Sequence, residues 1–141
     1  MFATLNSPAA AYRQAGVETK TDTASPHELV IMLFDGAIVS IATAMYQMAN
    51  GNISAKGEGI SKAIEIIDNG LRASLDHRNG GELAERLGAL YEYMCSRLLH
   101  GNLRNDKAAL EEVSALLRDL KGAWQEIGTD PAAASPTKAA A

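Results

Sequence analysis

From Ser25 to Asn50 the chain reads SPHELVIMLFDGAIVSIATAMYQMAN. Placed at about 100° per residue, Val30, Leu33, Phe34, Ala37, Ile41, Ala44, Met45 and Met48 share one apolar face. The opposite face would be charged on an ordinary surface helix. Here it carries Met32, Val39 and Tyr46 at seven-residue spacing, with Ile31, Ala42 and Thr43 beside them. Asp35 is its only charge. A helix apolar all round has to be covered on both sides. A core covers one face, so something else is expected to cover the other. Ser25, Pro26 and Glu28 form a capping-box start, and Ala49-Asn50-Gly51-Asn52 is a stop, so the pattern predicts a helix over about Pro26–Met48.

Three more helical patterns follow. The second spans roughly Ser54–Asp76, with Ile60, Ala63, Ile64, Ile67, Leu71 and Leu75 in one stripe. Gly57, Gly59 and Gly70 weaken it, the first two at its opening. After a turn over His77–Gly81, the third spans roughly Glu82–His100. Its wide arc comprises Leu83, Leu87, Leu90, Tyr91, Met94, Cys95, Leu98 and Leu99, and Tyr93 falls outside it near Arg86 and Arg97. The fourth, capped by Asn105 or Asp106, runs to about Ile127 with Leu110, Val113, Leu117, Leu120, Trp124 and Ile127 aligned.

No strand pattern competes. Four long helices with short connections predict an all-α fold, an antiparallel up-down four-helix bundle over residues 25–127. Residues 1–24 have no sustained period and read as a flexible N-terminal arm, with room for a short extra helix and with Tyr12 as its one large anchor. Residues 128–141 are an Ala- and Pro-rich tail of disordered composition.

Composition narrows the function. Of 141 residues 47% are hydrophobic, enough for a core, and the net charge is −4 with no basic run, which argues against nucleic acid as a partner. No unbroken apolar run of about 18 residues exists, so membrane insertion is not expected. No signal-peptide pattern opens the chain, and Cys95 has no second cysteine to bond, both in keeping with a cytoplasmic location.

The chemistry-bearing residues are sparse. None of His27, His77 and His100 follows a Glu at the spacing of a di-iron bundle, and His27-Glu28 lacks the second histidine of a zinc-protease motif. Cys95 sits in an apolar arc, where a thiol is a packing group. No glycine-rich phosphate loop is present. The expectation is a binding module without cofactor or metal, rather than an enzyme.

Several segments resemble the FliS family of flagellar secretion chaperones. In order they are AYRQAGVET, SPHELVIMLFDGAI, KAIEIIDNGLRASLD, LGALYEYMCSRLLHGNLRND and EEVSALLRDLKGAWQEI, together covering about Ala11 to Ile127. Gly101 stands where the family more often has alanine. The resemblance implies a cytoplasmic export chaperone that binds the C-terminal segment of unpolymerised flagellin. It would prevent premature polymerisation and help deliver the client to the export-gate protein FlhA. It also links the N-terminal arm to gate docking, with Tyr12 at the matching position.

The surplus apolar surface and this resemblance together nominate Tyr12, Ile31, Met32, Val39, Tyr46, Leu90 and Tyr93 as partner-binding residues, in a protein that is monomeric or a weak dimer when free. Two other readings compete. One is a homo-oligomeric structural bundle in which the outer face of the first helix pairs with a second copy. The other is a histidine phosphotransfer module, for which none of the histidines is well placed.

Overall fold

The computed structural model describes residues 24–129. The expectations for the arm, Tyr12 included, and for most of the tail lie outside those residues. Four helical segments account for nearly all of the described chain: α1 (Pro26–Ala49), α2 (Ile53–Glu65), α3 (His77–Arg104) and α4 (Lys107–Thr129). α2 continues as a π-helical stretch, Ile66–Leu71, and a 3-10 turn, Arg72–Ser74. α1 packs on α2 and α4, and α3 packs on the same two, so α1 and α3 sit diagonally in an antiparallel four-helix bundle.

The capping box at the head of α1 is fully formed. Glu28 N–H donates to Ser25 Oγ at 3.1 Å, and Ser25 N–H donates to Glu28 Oε1 at 2.9 Å. The inner face predicted for α1 is the core: Leu33, Phe34, Ala37, Ile41 and Ala44 are buried. Ile60, Ala63, Ile67 and Leu71 meet them from the second segment, with Met94 and Leu98 from α3 and Leu110, Val113 and Leu117 from α4. By length and mean hydropathy (1.9 over its best window) α1 could cross a bilayer, although no unbroken apolar run exists. A helix whose inner face forms a bundle core passes the same test.

The structure departs from the expected pattern in three places. First, α2 begins cleanly at Ile53. Asn52 caps it by accepting the Ala55 N–H at 3.1 Å, so the glycines do not delay its start. Gly59 has a packing reason: a Cβ there would lie 3.0 Å from the Ser40 carbonyl oxygen and 3.1 Å from Ala44 Cβ. Its absence lets α2 close on α1. Second, the wide π turn inserts an extra residue per turn and shifts the stripe, so Ile66 and Gly70 turn inward together with Ile67 and Leu71. Third, α3 starts early. Asp76 caps it by accepting from Arg78 and Asn79 N–H, and the helix breaks at Gly81 (φ 52°, ψ −127°) before running on. Leu83 and Leu99, expected in the α3 core arc, are exposed.

Gly101 is buried where α3 meets α4, and a methyl group there would overlap the tip of Leu110. The volume that alanine would fill is already occupied. At the end of α3, Asn105 adopts the left-handed conformation (φ 52°, ψ 41°) and Asp106 N–H reaches back to the Gly101 carbonyl at 3.0 Å.

Candidate partner-docking surface

The outer face of α1 is uncovered among the described residues. Val39 is 63% exposed and Tyr46 67%, and Ala42 and Thr43 between them are exposed as well. Ile31, Met32 and Ile38 are partly exposed on the same side. From Met32 to Tyr46 the stripe runs about 20 Å along the helix. It lies on the side opposite Leu33, Ala37, Ile41 and Ala44. Asp35 is the sole carboxylate on it and is held by Lys121 Nζ of α4 at 2.5 Å. This ion pair pins one rim of the stripe to α4.

The two candidates on α3 are placed differently. Leu90 is half-buried and packs against the core. Tyr93 is 44% exposed, and its hydroxyl donates to Glu112 Oε2 at 2.5 Å. Arg97 Nε donates to the other carboxylate oxygen at 2.8 Å. The Tyr93 and Arg97 donors hold Glu112 below the usual carboxylate range, and the same bond to Glu112 raises Tyr93. Tyr93 is thus partly open to solvent with its polar tip fastened to α4.

Since α1 and α3 are diagonal, Met32, Val39 and Tyr46 do not meet Leu90 and Tyr93 in one groove. They form two apolar patches, each rimmed by a charged contact to α4. Sequence reasoning also missed a third exposed set: Ile53, Leu99 and Leu103. Spacing alone places Leu99 in the core arc, and the other two stand at helix ends, where periodicity gives little signal.

The remaining reactive groups are engaged in structure. Burial pushes the Cys95 thiol up to about 11, and its S–H faces the Ile64 carbonyl at 3.9 Å. The His27 ring stacks on Trp124, and His100 Nε2 lies 3.2 Å from Asp106. Among the described residues no group of three His, Cys, Asp or Glu side chains is placed to hold a metal.

Comparison with known proteins decides the family. The sequence model of "Flagellar protein FliS" matches residues 8–131. The chain belongs to the FliS family. The flagellar secretion chaperone FliS of Salmonella typhimurium is 52% identical over 117 residues, 83% of this chain and 87% of that protein. The Escherichia coli FliS is 50% identical, covering 86% and 89% respectively. The Bacillus subtilis FliS is 34% identical over 86% of each chain. Membership makes this chain a flagellar secretion chaperone and agrees with the bundle described above.

Proposed function

We propose that this FliS-family protein acts in the cytoplasm as a binding module for the C-terminal segment of unpolymerised flagellin. On this reading it prevents premature assembly and helps hand the client to the export-gate protein FlhA. The observation that carries the reading is the outer face of α1, where an apolar stripe with Val39 and Tyr46 exposed backs directly onto the core. A soluble domain leaves such a contiguous stripe open when a partner uses it. A helix-forming client can lay its own apolar side chains along that stripe. The segment orders on binding, so part of the contact energy is spent on its entropy.

The diagonal placement of α1 and α3 adds a requirement. One client touching both Val39 and Tyr93 has to be extended and pass across a neighbouring helix. A long terminal segment meets that requirement and a single short helix does not. Tyr12 lies outside the described residues. On this reading it serves delivery to the gate. The deciding experiment is co-purification and calorimetry with a flagellin C-terminal fragment. Binding one fragment per chain is the expected result. No binding at high micromolar concentration would overturn the reading and leave self-association, readable by sedimentation, as the use of the α1 face.

A further inference from the structure

The end of the bundle that holds the α1–α2 and α3–α4 turns carries a feature that client binding on α1 does not use. Lys56 is only 4% exposed, which for a lysine calls for partners. Its ammonium donates to the Asn102 carbonyl at 2.9 Å and to Asn105 Oδ1 at 2.5 Å. Both acceptors are neutral, and an ammonium has three N–H donors. No carboxylate pairs with it among the described residues. Lys56 lines a cleft of about 400 Å³ together with Met48, Gly51, Asn52, Ile53 and Asn105.

The surroundings carry the same sign. Arg104 and Lys107, flanking the turn, are exposed and have no ion-pair partner among the described residues. Neither α2 nor α4, whose N-termini open at this end, has an acidic residue in its first turn. Of the acids nearby, Asp106 stands in the turn with a carboxylate oxygen 3.2 Å from His100 Nε2, Glu111 is one turn along α4 from Lys107, and Glu58 lies about 200° from Lys56 around α2. At the turn itself three cations, Lys56, Arg104 and Lys107, stand with one carboxylate, Asp106, in a chain of net charge −4. Large apolar groups stand at it: Ile53, on the cleft wall, is 72% exposed, and Leu103, next to Asn102, is 81% exposed.

We propose that this end is a second docking surface, taking a protein segment that presents a carboxylate beside a large apolar side chain. The carboxylate faces the Lys56 ammonium with Arg104 and Lys107 around it, and the apolar side chain covers Ile53 and Leu103. Charge complementarity selects the acidic segment, because the cleft lining holds the Lys56 ammonium and no carboxylate, with Arg104 and Lys107 in the adjoining turn. The apolar walls select protein over a small anion. The surface lies on the turns between helices, beyond the Tyr46 end of the α1 stripe.

The test uses the full chain labelled with nitrogen-15 and a peptide in which Leu and Phe alternate with Asp and Glu. The expected result is amide shifts centred on Asn52, Ile53, Lys56, Leu103 and Asn105, and an affinity that falls with added salt. The doubly reversed Arg104→Glu, Lys107→Glu variant should bind about ten-fold more weakly, while Arg104→Lys keeps its affinity and both keep the wild-type melting temperature. Leu103→Ser should weaken the peptide without changing the binding of a flagellin C-terminal fragment. Equal binding of the Asn/Gln counterpart, shifts mapping elsewhere, or unchanged affinity in the reversed variant would overturn the proposal. So would a dT12 oligonucleotide that takes the site more tightly than the peptide. A flagellin fragment that shifts these same amides would also overturn it, by assigning the surface to the client.

Discussion

The Trp124 indole lies flat on the His27 imidazole, with ring centroids 5.1 Å apart and planes within 12°. Its Nε1–H donates to the His27 carbonyl at 3.2 Å. One side chain of the last helix therefore both covers and hydrogen-bonds the first turn of α1. It fastens the two ends of the described chain to each other. Trp124→Ala removes the stack and the bond, and should lower stability by about 3–5 kcal/mol. Trp124→Phe keeps a ring and loses the donor, at about 1 kcal/mol. Urea unfolding measures both. A Trp124→Ala protein of unchanged stability would show that α4 does not hold α1 in place.

Gly59 sits where α2 crosses closest to α1, and the nearest neighbours of an added Cβ include backbone atoms of Ser40 and Ala44. Helix propensity alone favours Gly59→Ala by about 1 kcal/mol. The contact reverses that sign, because backbone cannot step aside as a side-chain tip can. Gly59→Ala should destabilise by about 1–3 kcal/mol, whereas Gly57→Ala, with open space around it, should stabilise. Thermal melts of the two variants in parallel give the comparison.

Ser114 is 3% exposed and its hydroxyl has no hydrogen-bond partner. Ser114→Ala removes a buried polar atom and adds a better helix former. It should raise stability by about 1 kcal/mol, measured by the denaturation midpoint. A loss of stability would mean that an ordered water serves the hydroxyl.

The bundle was legible because its apolar positions repeat at a helical period over long stretches. Leu33, Phe34, Ala37, Ile41 and Ala44 fell on one face by counting alone, and they are the core. The Ser25 and Glu28 cap was legible because its chemistry is local. What periodicity could not show is what breaks it. The π turn at Ile66–Leu71 changes the repeat within the second segment, so Ile66 and Gly70, which stand outside the predicted stripe, are buried. Leu99 kept the right spacing yet points out, because α3 has a neighbour on each side and none behind it. Lys56 carries no signal in the helical pattern. Its burial depends on Asn102 and Asn105, more than forty positions away. Such a partnership leaves no trace in local pattern.

Glu112 ties α4 to α3 by accepting from Tyr93 and Arg97, and these two donors hold its carboxyl below the usual glutamate range. A group whose pKa is depressed on folding contributes stability above its unfolded pKa. That contribution is lost as pH falls through the folded value. Stability of the wild type should therefore decline below about pH 4.5, with Asp76 and Glu28, both also lowered, adding to the loss. Glu112→Gln should flatten its own part of the decline while leaving that of the two helix caps. The measurement is the urea midpoint from pH 6 to pH 3 for both proteins. Parallel curves would show that the Tyr93–Glu112–Arg97 contact carries no stability in solution.

Val39 and Tyr46 distinguish a docking face from a core face with one pair of substitutions. Both are mostly exposed and stand on the side of α1 opposite Leu33 and Ile41. A glutamate at either position meets water in the free protein. Val39→Glu and Tyr46→Glu should each change stability by no more than about 0.5 kcal/mol. In a complex the same carboxylate would be buried against apolar side chains with no partner, which costs several kcal/mol. Binding of a flagellin C-terminal fragment should then weaken by about a hundred-fold or more for Val39→Glu. Ile41→Glu is the contrasting case, because it places the charge in the core and should unfold the bundle whatever the partner. Calorimetry with the fragment and melts of the free proteins separate the effects. Should Val39→Glu and Tyr46→Glu bind as tightly as the wild type, the α1 face is not where the client lies. The patch around Tyr93 on α3 would then be the place to substitute next.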